Sequence, residues 1–278
     1  MVWLISILPL PILYLKSSAL FVLVYHIIGY RKKTVFSNLR LVFPSKSNQE
    51  IRSIARKFYQ HLCDLVFETI KSITISEKEL TKRYEIQNME VLDDLYKKEK
   101  SVLLMCGHYA NWEWSGIFAA HMPHKGFAVY KKLDNPYFDR LVKSIRGRFG
   151  GTIVTNKQIA KTLYKSFKKQ ERSVTLIVSD QTPKIGAFKY RDLFMGIDVP
   201  IFTGTEELAK MLDFSCVYLK VEKVRRGYYT ATLVPLSTAP KTVDDFGITR
   251  SFLDAIEDQI REAPAYYLWS HKRWKHRS

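Results

Sequence analysis

Ser101–His121, SVLLMCGHYANWEWSGIFAAH, is the stretch that decides how the rest of the chain is read. Its first half, Ser101 to Cys106, is short and apolar, as suits a buried strand. Gly107 breaks the run, and from Asn111 onward the pattern predicts the first turns of an amphipathic helix. His108 therefore falls where a strand hands over to a helix, the place where open α/β sheets keep their chemistry. Glu113 follows five residues later. On one continuous helix that offset would turn the side chains roughly 140° apart. With His108 in the loop and Glu113 in the first turn, the carboxylate is expected to fold back onto the imidazole. There it would fix a tautomer and stabilise the imidazolium formed when His108 takes a proton. The same residues also fit a plainer account, a polar strand end and a first-turn acid favoured by the helix dipole.

Working outward, Gly126–Tyr130, Thr152–Val154 and Ser173–Ser179 are further apolar strand runs. Helical patterns separate them, at Asn135–Arg148 (stopped by Gly150-Gly151) and at Lys157–Lys169. This alternation predicts an α/β fold, a mostly parallel sheet with helices on both faces. Cys216–Val224 and Tyr228–Pro235 should add an antiparallel hairpin across Arg225-Arg226-Gly227, and Thr249–Ala263 a further helix. Upstream, Ser47 and Glu50 form a capping box for a helix with the stripe Ile51, Ile54, Phe58, Leu62, Leu65 and Ile70. That stripe reads as packing, and Glu68 beside it stands out only weakly. Thr74–Lys100 is charged, helical from Glu90 to Lys98, and without evident chemistry.

Residues 1–28 read as an N-terminal membrane anchor and 29–278 as one catalytic domain. Val2–Ile28 is the most apolar stretch and nearly as long as the about 20 residues a bilayer span needs. Pro9, Pro11, Lys16 and His26 interrupt it, so a bent or half-inserted helix fits equally well. Arg31-Lys32-Lys33 follows at once, which by the positive-inside tendency puts the downstream body in the cytoplasm.

The formal charge of +17 over 278 residues implies acidic partners: nucleic acid, an anionic membrane surface or an acidic protein. The basic residues are dispersed over many elements, and no nucleic-acid-binding motif is present. Lys161, Lys165, Lys168 and Lys169 share one predicted helix that could dock an acidic carrier protein. The tail YYLWSHKRWKHR interleaves aromatics with bases, a composition suited to stacking on nucleobases or to a membrane interface. Cys63, Cys106 and Cys216 are isolated in apolar contexts and lack metal spacing.

Strand, Gly-His, Asn-Trp-Glu and helix together resemble the His-x4-Asp/Glu motif of glycerolipid acyltransferases. The form HYANWEW is most similar to the bacterial lipid A late acyltransferases, the lauroyl/myristoyl transferase family. The resemblance continues in ordered blocks from about Tyr30 to Lys275. They comprise the basic residues before Asn38-Leu39 and Phe43-Pro44, the Tyr130-Lys131 and Asn135-Pro136 block, Asp180-Gln181-Thr182-Pro183, the Phe194–Pro200 loop and the Trp-x-His-x-Arg-Trp-Lys tail. Lys131 stands where the family leads one to expect arginine; it keeps the charge and loses the planar fork. Met195 replaces the more usual Phe.

The resemblance implies a catalytic set of His108, Glu113, Arg146 and Asp180, with Asn111, Lys131, Asn135, Arg148, Gln181 and Arg273 binding substrate. It implies no metal and no organic cofactor. The donor would be an acyl carrier protein thioester and the acceptor a lipid A precursor, at the cytoplasmic face of a bacterial inner membrane. The acceptor hydroxyl is then the nucleophile, which explains why no Ser or Cys with a partner base stands out. Three alternatives stay open: an enzyme of the same family acting on an aminolipid or lysophospholipid, a non-catalytic lipid-binding relative, and a basic membrane-tethered nucleic-acid-binding protein.

Overall fold

The computed structural model describes residues 2–184, 186 and 188–278. Its helices are α1 Val2–Ile7, α2 Leu10–Phe21, α3 Lys32–Val42, α4 Asn48–Lys71, α5 Glu77–Arg83, α6 Glu90–Lys97, α7 Phe118–His121, α8 Pro136–Arg146, α9 Ile159–Lys168, α10 Gly204–Leu212 and α11 Gly247–Glu262. The strands are β1 Tyr84–Gln87, β2 Val102–Cys106, β3 Lys125–Tyr130, β4 Thr152–Thr155, β5 Ser173–Val178, β6 Tyr190–Phe194, β7 Ile197–Ile201, β8 Ser215–Arg225 and β9 Tyr228–Ser237.

Seven strands make one sheet in the order β1–β9–β8–β2–β5–β3–β4, and β6 and β7 form a separate two-stranded hairpin. Within the large sheet the pairs are parallel except for the expected β8–β9 hairpin. The mostly parallel α/β fold read from the alternation is what the structure has. All five residues of β2 are buried, which follows from its central place and from side chains that meet helices on both faces. The capping box also forms: the Ser47 hydroxyl accepts from Glu50 N, and Glu50 Oε2 accepts from Ser47 N at 2.8 Å.

Three local outcomes differ from the expectations. The segment after His108 is a 3₁₀ helix, Trp112–Ile117, entered from Ala110 in a left-handed conformation and capped by the Asn111 side chain, followed by the single α turn of α7. Second, β1 and the β6–β7 hairpin carry charged and proline residues that hide strand periodicity; β1 is an edge strand, where one face is open to water. Third, the tail is core. Trp269 and Trp274 are buried and stacked at 5.7 Å, and Trp274 stacks on Phe194 at 5.7 Å. Its rings therefore fill the interior and are not free to sit among headgroups or on bases.

The apolar N-terminus divides at Leu8–Pro9, where proline starts α2. Leu10–Ile28 is long and apolar enough to cross a membrane. Leu10, Leu13, Ser17 and Phe21 recur at helical spacing and are buried, however, so this face packs on α4. Leu15, Val22, Leu23, Ile27 and Ile28 are exposed on the remainder.

Candidate active site

Two neighbouring parallel strands assemble the centre. In the β2–β5 register Cys106 lies opposite Val178, and Ser179 N donates to Cys106 O at 2.9 Å. Two residues further along each strand, His108 and Asp180 meet, although 72 positions separate them in sequence. His108 Nδ1 lies 2.6 Å from Asp180 Oδ1, and His108 N donates to Asp180 Oδ2 at 3.0 Å. The carboxylate can only accept, so Nδ1 carries the proton and Nε2 is left as the basic nitrogen. Gln181 Nε2 donates to it at 2.9 Å. Burial alone would raise the Asp180 carboxyl; the His108 charge and both hydrogen bonds, with Arg273 beyond them, outweigh burial and hold it below the ordinary carboxylate value. Gly107 is required by packing: a Cβ there would come within 1.8 Å of Ile256 Cδ1 on α11.

Glu113 is not the partner of His108. Its carboxylate takes a two-pronged bond from Arg146 at the end of α8, Nε to Oε2 at 2.9 Å and Nη2 to Oε1 at 2.5 Å. Trp112 Nε1 adds a third donor at 3.1 Å, and the Trp112 ring meets the His108 imidazole edge-on at 5.1 Å. The 3₁₀ turn aims the carboxylate away from the imidazole, and Asp180 already holds Nδ1. Burial works against the Arg146 charge, yet the adjoining carboxylate more than compensates and holds its pKa above the ordinary value. The site thus has a histidine–carboxylate pair whose basic nitrogen is met by the exposed Gln181 amide, beside a guanidinium clamped in place.

The other expected residues divide. Gln181 belongs to the centre. Arg273 lies beneath it, 1% exposed, its Nη1 donating to Pro200 O at 3.3 Å, its Nε without a partner among the described residues, while Thr182 Oγ1 donates to the Arg273 carbonyl at 2.6 Å. That burial makes it a support for the Asp180–Thr182 loop instead of a surface contact for substrate. Asn111 is also buried, and both ends of its amide are engaged internally: Oδ1 accepts from Trp114 N and Nδ2 donates to Glu68. Asn135 caps α8, accepting from Tyr137 N at 2.9 Å and Phe138 N at 3.3 Å, a helix length from Arg146. Arg148 points to Ser72 O at 2.7 Å, and Lys131 is exposed.

The sequence reading passed over two groups. The tail clamps the loop from one side: Leu268 N donates to His108 O, Ala110 N to Tyr266 O, and Tyr109 bridges to Tyr267. His271 on this tail has its pKa pushed down to about 4, by burial first and then by the His108 and Arg273 charges, against an upward pull from Asp180. The ordered tail block was the available signal. From the other side the loop meets a buried polar network on α4 and the β8–β9 hairpin. His61 Nε2 donates to Ala110 O at 3.2 Å and its Nδ1 accepts from Lys223 Nζ at 3.1 Å. Burial, with the Lys223 charge, pushes the His61 pKa well down. Asp64 takes bonds from Arg226, Lys223 and Ser17, and Glu68 from Asn111, Tyr229 and Tyr14. His61, Asp64 and Glu68 recur at helical spacing along α4, a signal that the packing reading of its apolar stripe left unused apart from Glu68.

Residues 1–276 match the family described as bacterial lipid A biosynthesis acyltransferase. Among curated relatives, the chain is 29% identical to the lipid A biosynthesis lauroyltransferase of Escherichia coli K12, over 99% of this chain and 89% of that protein. It is 20% identical to the palmitoleoyltransferase of the same organism over 99% and 89%, and 20% identical to its myristoyltransferase over 88% and 76%.

Proposed function

The chain belongs to the bacterial lipid A biosynthesis acyltransferases, and from that premise we propose that it moves a fatty acyl chain from an acyl carrier protein thioester to a hydroxyl of a lipid A precursor, with His108 as general base. The observation that carries this reading is the Asp180–His108 pair, with Nδ1 committed to the carboxylate and Nε2 facing outward at a strand end. Nε2 takes the proton of the acceptor hydroxyl as its oxygen attacks the thioester carbonyl. Asp180 stabilises the imidazolium, as a carboxylate does behind a histidine base. The tetrahedral oxyanion collapses, the carbon–sulfur bond breaks, and Nε2–H returns the proton to the departing sulfur. Arg146, held flat by Glu113, supplies a fixed positive charge for the oxyanion or an acceptor phosphate.

The surroundings support a membrane setting. The exposed apolar side of Val2–Ile28, followed by Arg31, Lys32 and Lys33, suits the cytoplasmic face of a bacterial inner membrane and its anionic surface. Residues 29–278 carry the catalytic groups, and Lys161, Lys165, Lys168 and Lys169 on and beside α9 are exposed for an acidic carrier. No cofactor enters any step.

The test is direct. Detergent-solubilised protein is incubated with lauroyl acyl carrier protein and a lipid A precursor, and products are read by mass spectrometry. Lauroyl is the first donor because the 29% identical relative is a lauroyltransferase. One added acyl chain on the precursor supports the reading; acylation of an aminolipid or lysophospholipid alone would move the acceptor, and turnover of no thioester would overturn it. Arg146→Lys keeps one charge and loses the two-pronged bond to Glu113, and should lower kcat by about tenfold or more.

A further inference from the structure

The apolar helix α2 does more than face lipid. Its buried side is docked on α4 by polar groups: Tyr14 OH donates to Glu68 Oε1 at 2.9 Å and Ser17 Oγ to Asp64 Oδ1 at 2.7 Å. Arg226 Nη2 donates to Tyr14 O at 3.0 Å, and Lys71 Nζ donates to Ser6 O and Leu8 O just before the helix starts. Glu68 is wholly buried, and among the described residues no cation is hydrogen-bonded to it. Burial raises its pKa, against the nearby Lys223 charge and the donors that favour the carboxylate: Tyr14 on Oε1, Asn111 at 2.7 Å and Tyr229 at 2.8 Å on Oε2. Trp114 Nε1 adds a bond to the Glu68 carbonyl at 3.3 Å.

Asn111 is the hinge of this arrangement. Its Nδ2 is held by Glu68 while its Oδ1 caps the turn Trp112–Ile117 through Trp114 N at 3.1 Å. That turn carries Glu113, and Glu113 carries Arg146. Immediately before it, Ala110 adopts a left-handed φ of 48°, a conformation that is strained for a non-glycine residue and persists only when its surroundings impose it. The tail and His61 hold Ala110 at both backbone groups. Loss of a donor to a buried carboxylate leaves part of its charge uncompensated, so the remaining partners rearrange.

We propose that α2 is a positioning element of the catalytic centre: Tyr14 on its docked face fixes Glu68, Glu68 fixes Asn111, and Asn111 sets the turn that presents Glu113 to Arg146. The N-terminal helix is thus part of the working enzyme, and the division into an anchor and a separable catalytic domain does not hold functionally. The inference rests on the reading of His108–Arg146 as the active centre.

The experiment compares full-length wild type, Tyr14→Phe and Leu15→Ala in the same detergent micelles. Tyr14→Phe removes one oxygen and keeps the ring; Leu15, about 100° further round the same helix, is 67% exposed. Two readouts are taken, steady-state kinetics and hydrogen exchange of peptides covering 107–117. Tyr14→Phe should lower kcat about tenfold with KM within about twofold, since small misplacements of a catalytic group are costly. It should also speed exchange at 107–117 several-fold and leave α9 unchanged. Leu15→Ala should do neither. Wild-type exchange at 107–117 in Tyr14→Phe, or equal effects of Leu15→Ala, would overturn the proposal. If wild type shows no turnover, exchange still tests the linkage, so failure of the functional reading and failure of this one are told apart. Deletion of residues through Ile28 is expected to abolish activity, and a deleted protein with full kcat would also overturn it.

Discussion

His108 and His61 stand on opposite sides of the same loop and are both largely removed from water, yet they are built for different tasks. His61 has both ring nitrogens engaged inside the protein, one donating to the loop and one accepting from Lys223. It is held neutral, since burial and the lysine both disfavour a proton. His108 has one nitrogen committed to Asp180 and the other met by the amide of Gln181, an exposed side chain that substrate can displace. A carboxylate behind a histidine stabilises the imidazolium that forms during proton transfer; a lysine beside it disfavours that form. The lesson is that burial does not separate a structural histidine from a catalytic one. What separates them is the sign of the neighbouring charge and whether the second nitrogen is tied to a buried group or to an exposed side chain.

The largest expected effect breaks the comparison at its catalytic side. His108→Ala should lower kcat by about 10²–10⁴-fold; it also takes the 2.6 Å partner from the buried Asp180 carboxylate, so kcat is compared at a temperature where circular dichroism shows the variant folded. Activity near wild type would remove His108 as the base. Asp180→Asn comes next. The amide can donate to Nδ1 and favour the tautomer with its proton on Nε2, so about 10²–10³-fold should be lost, in kcat more than in KM. A larger loss in Glu113→Gln than in Asp180→Asn would return the orienting role to Glu113.

His61→Ala should show the opposite profile. It takes one partner from the Lys223 ammonium, strands the Ala110 carbonyl and leaves a cavity, costing about 2–4 kcal/mol of stability by denaturant titration. At a permissive temperature kcat should fall less than about tenfold. A loss as deep as that of His108→Ala with unchanged stability would erase the distinction.

The smallest effect is read in the pH dependence of stability. The pKa of His271 is about 4 in the folded protein and ordinarily 6.5. Between those values the unfolded chain binds a proton that the folded chain refuses, so stability falls as pH drops from 6.5 toward 4 and is unaffected by this group above 6.5. His61 acts in the same direction. His271→Asn should flatten part of that slope in melting-temperature measurements; an unchanged slope would show that other groups set it.

The sequence by itself determined a good deal. Apolar runs alternating with helical stripes were enough for a mostly parallel sheet, since period and length are local properties. Gly-His at the end of the central strand, with Asn-Trp-Glu beyond it, located the candidate centre and the family. Tertiary structure alone decided the partnerships. Glu113 looked like the partner of His108 because five residues is a short distance along a chain. Asp180 is the partner because β2 lies beside β5 in parallel register, and strand order cannot be read from periodicity. The same holds for the tail, whose tryptophans and Arg273 have an interfacial composition but are enclosed by β6–β7 and Phe194. It holds for α2, whose hydropathy reads as an anchor while its Tyr14 and Ser17 are tied to Glu68 and Asp64. Composition and spacing record what a residue can do; which neighbour it meets depends on packing between segments far apart in the chain.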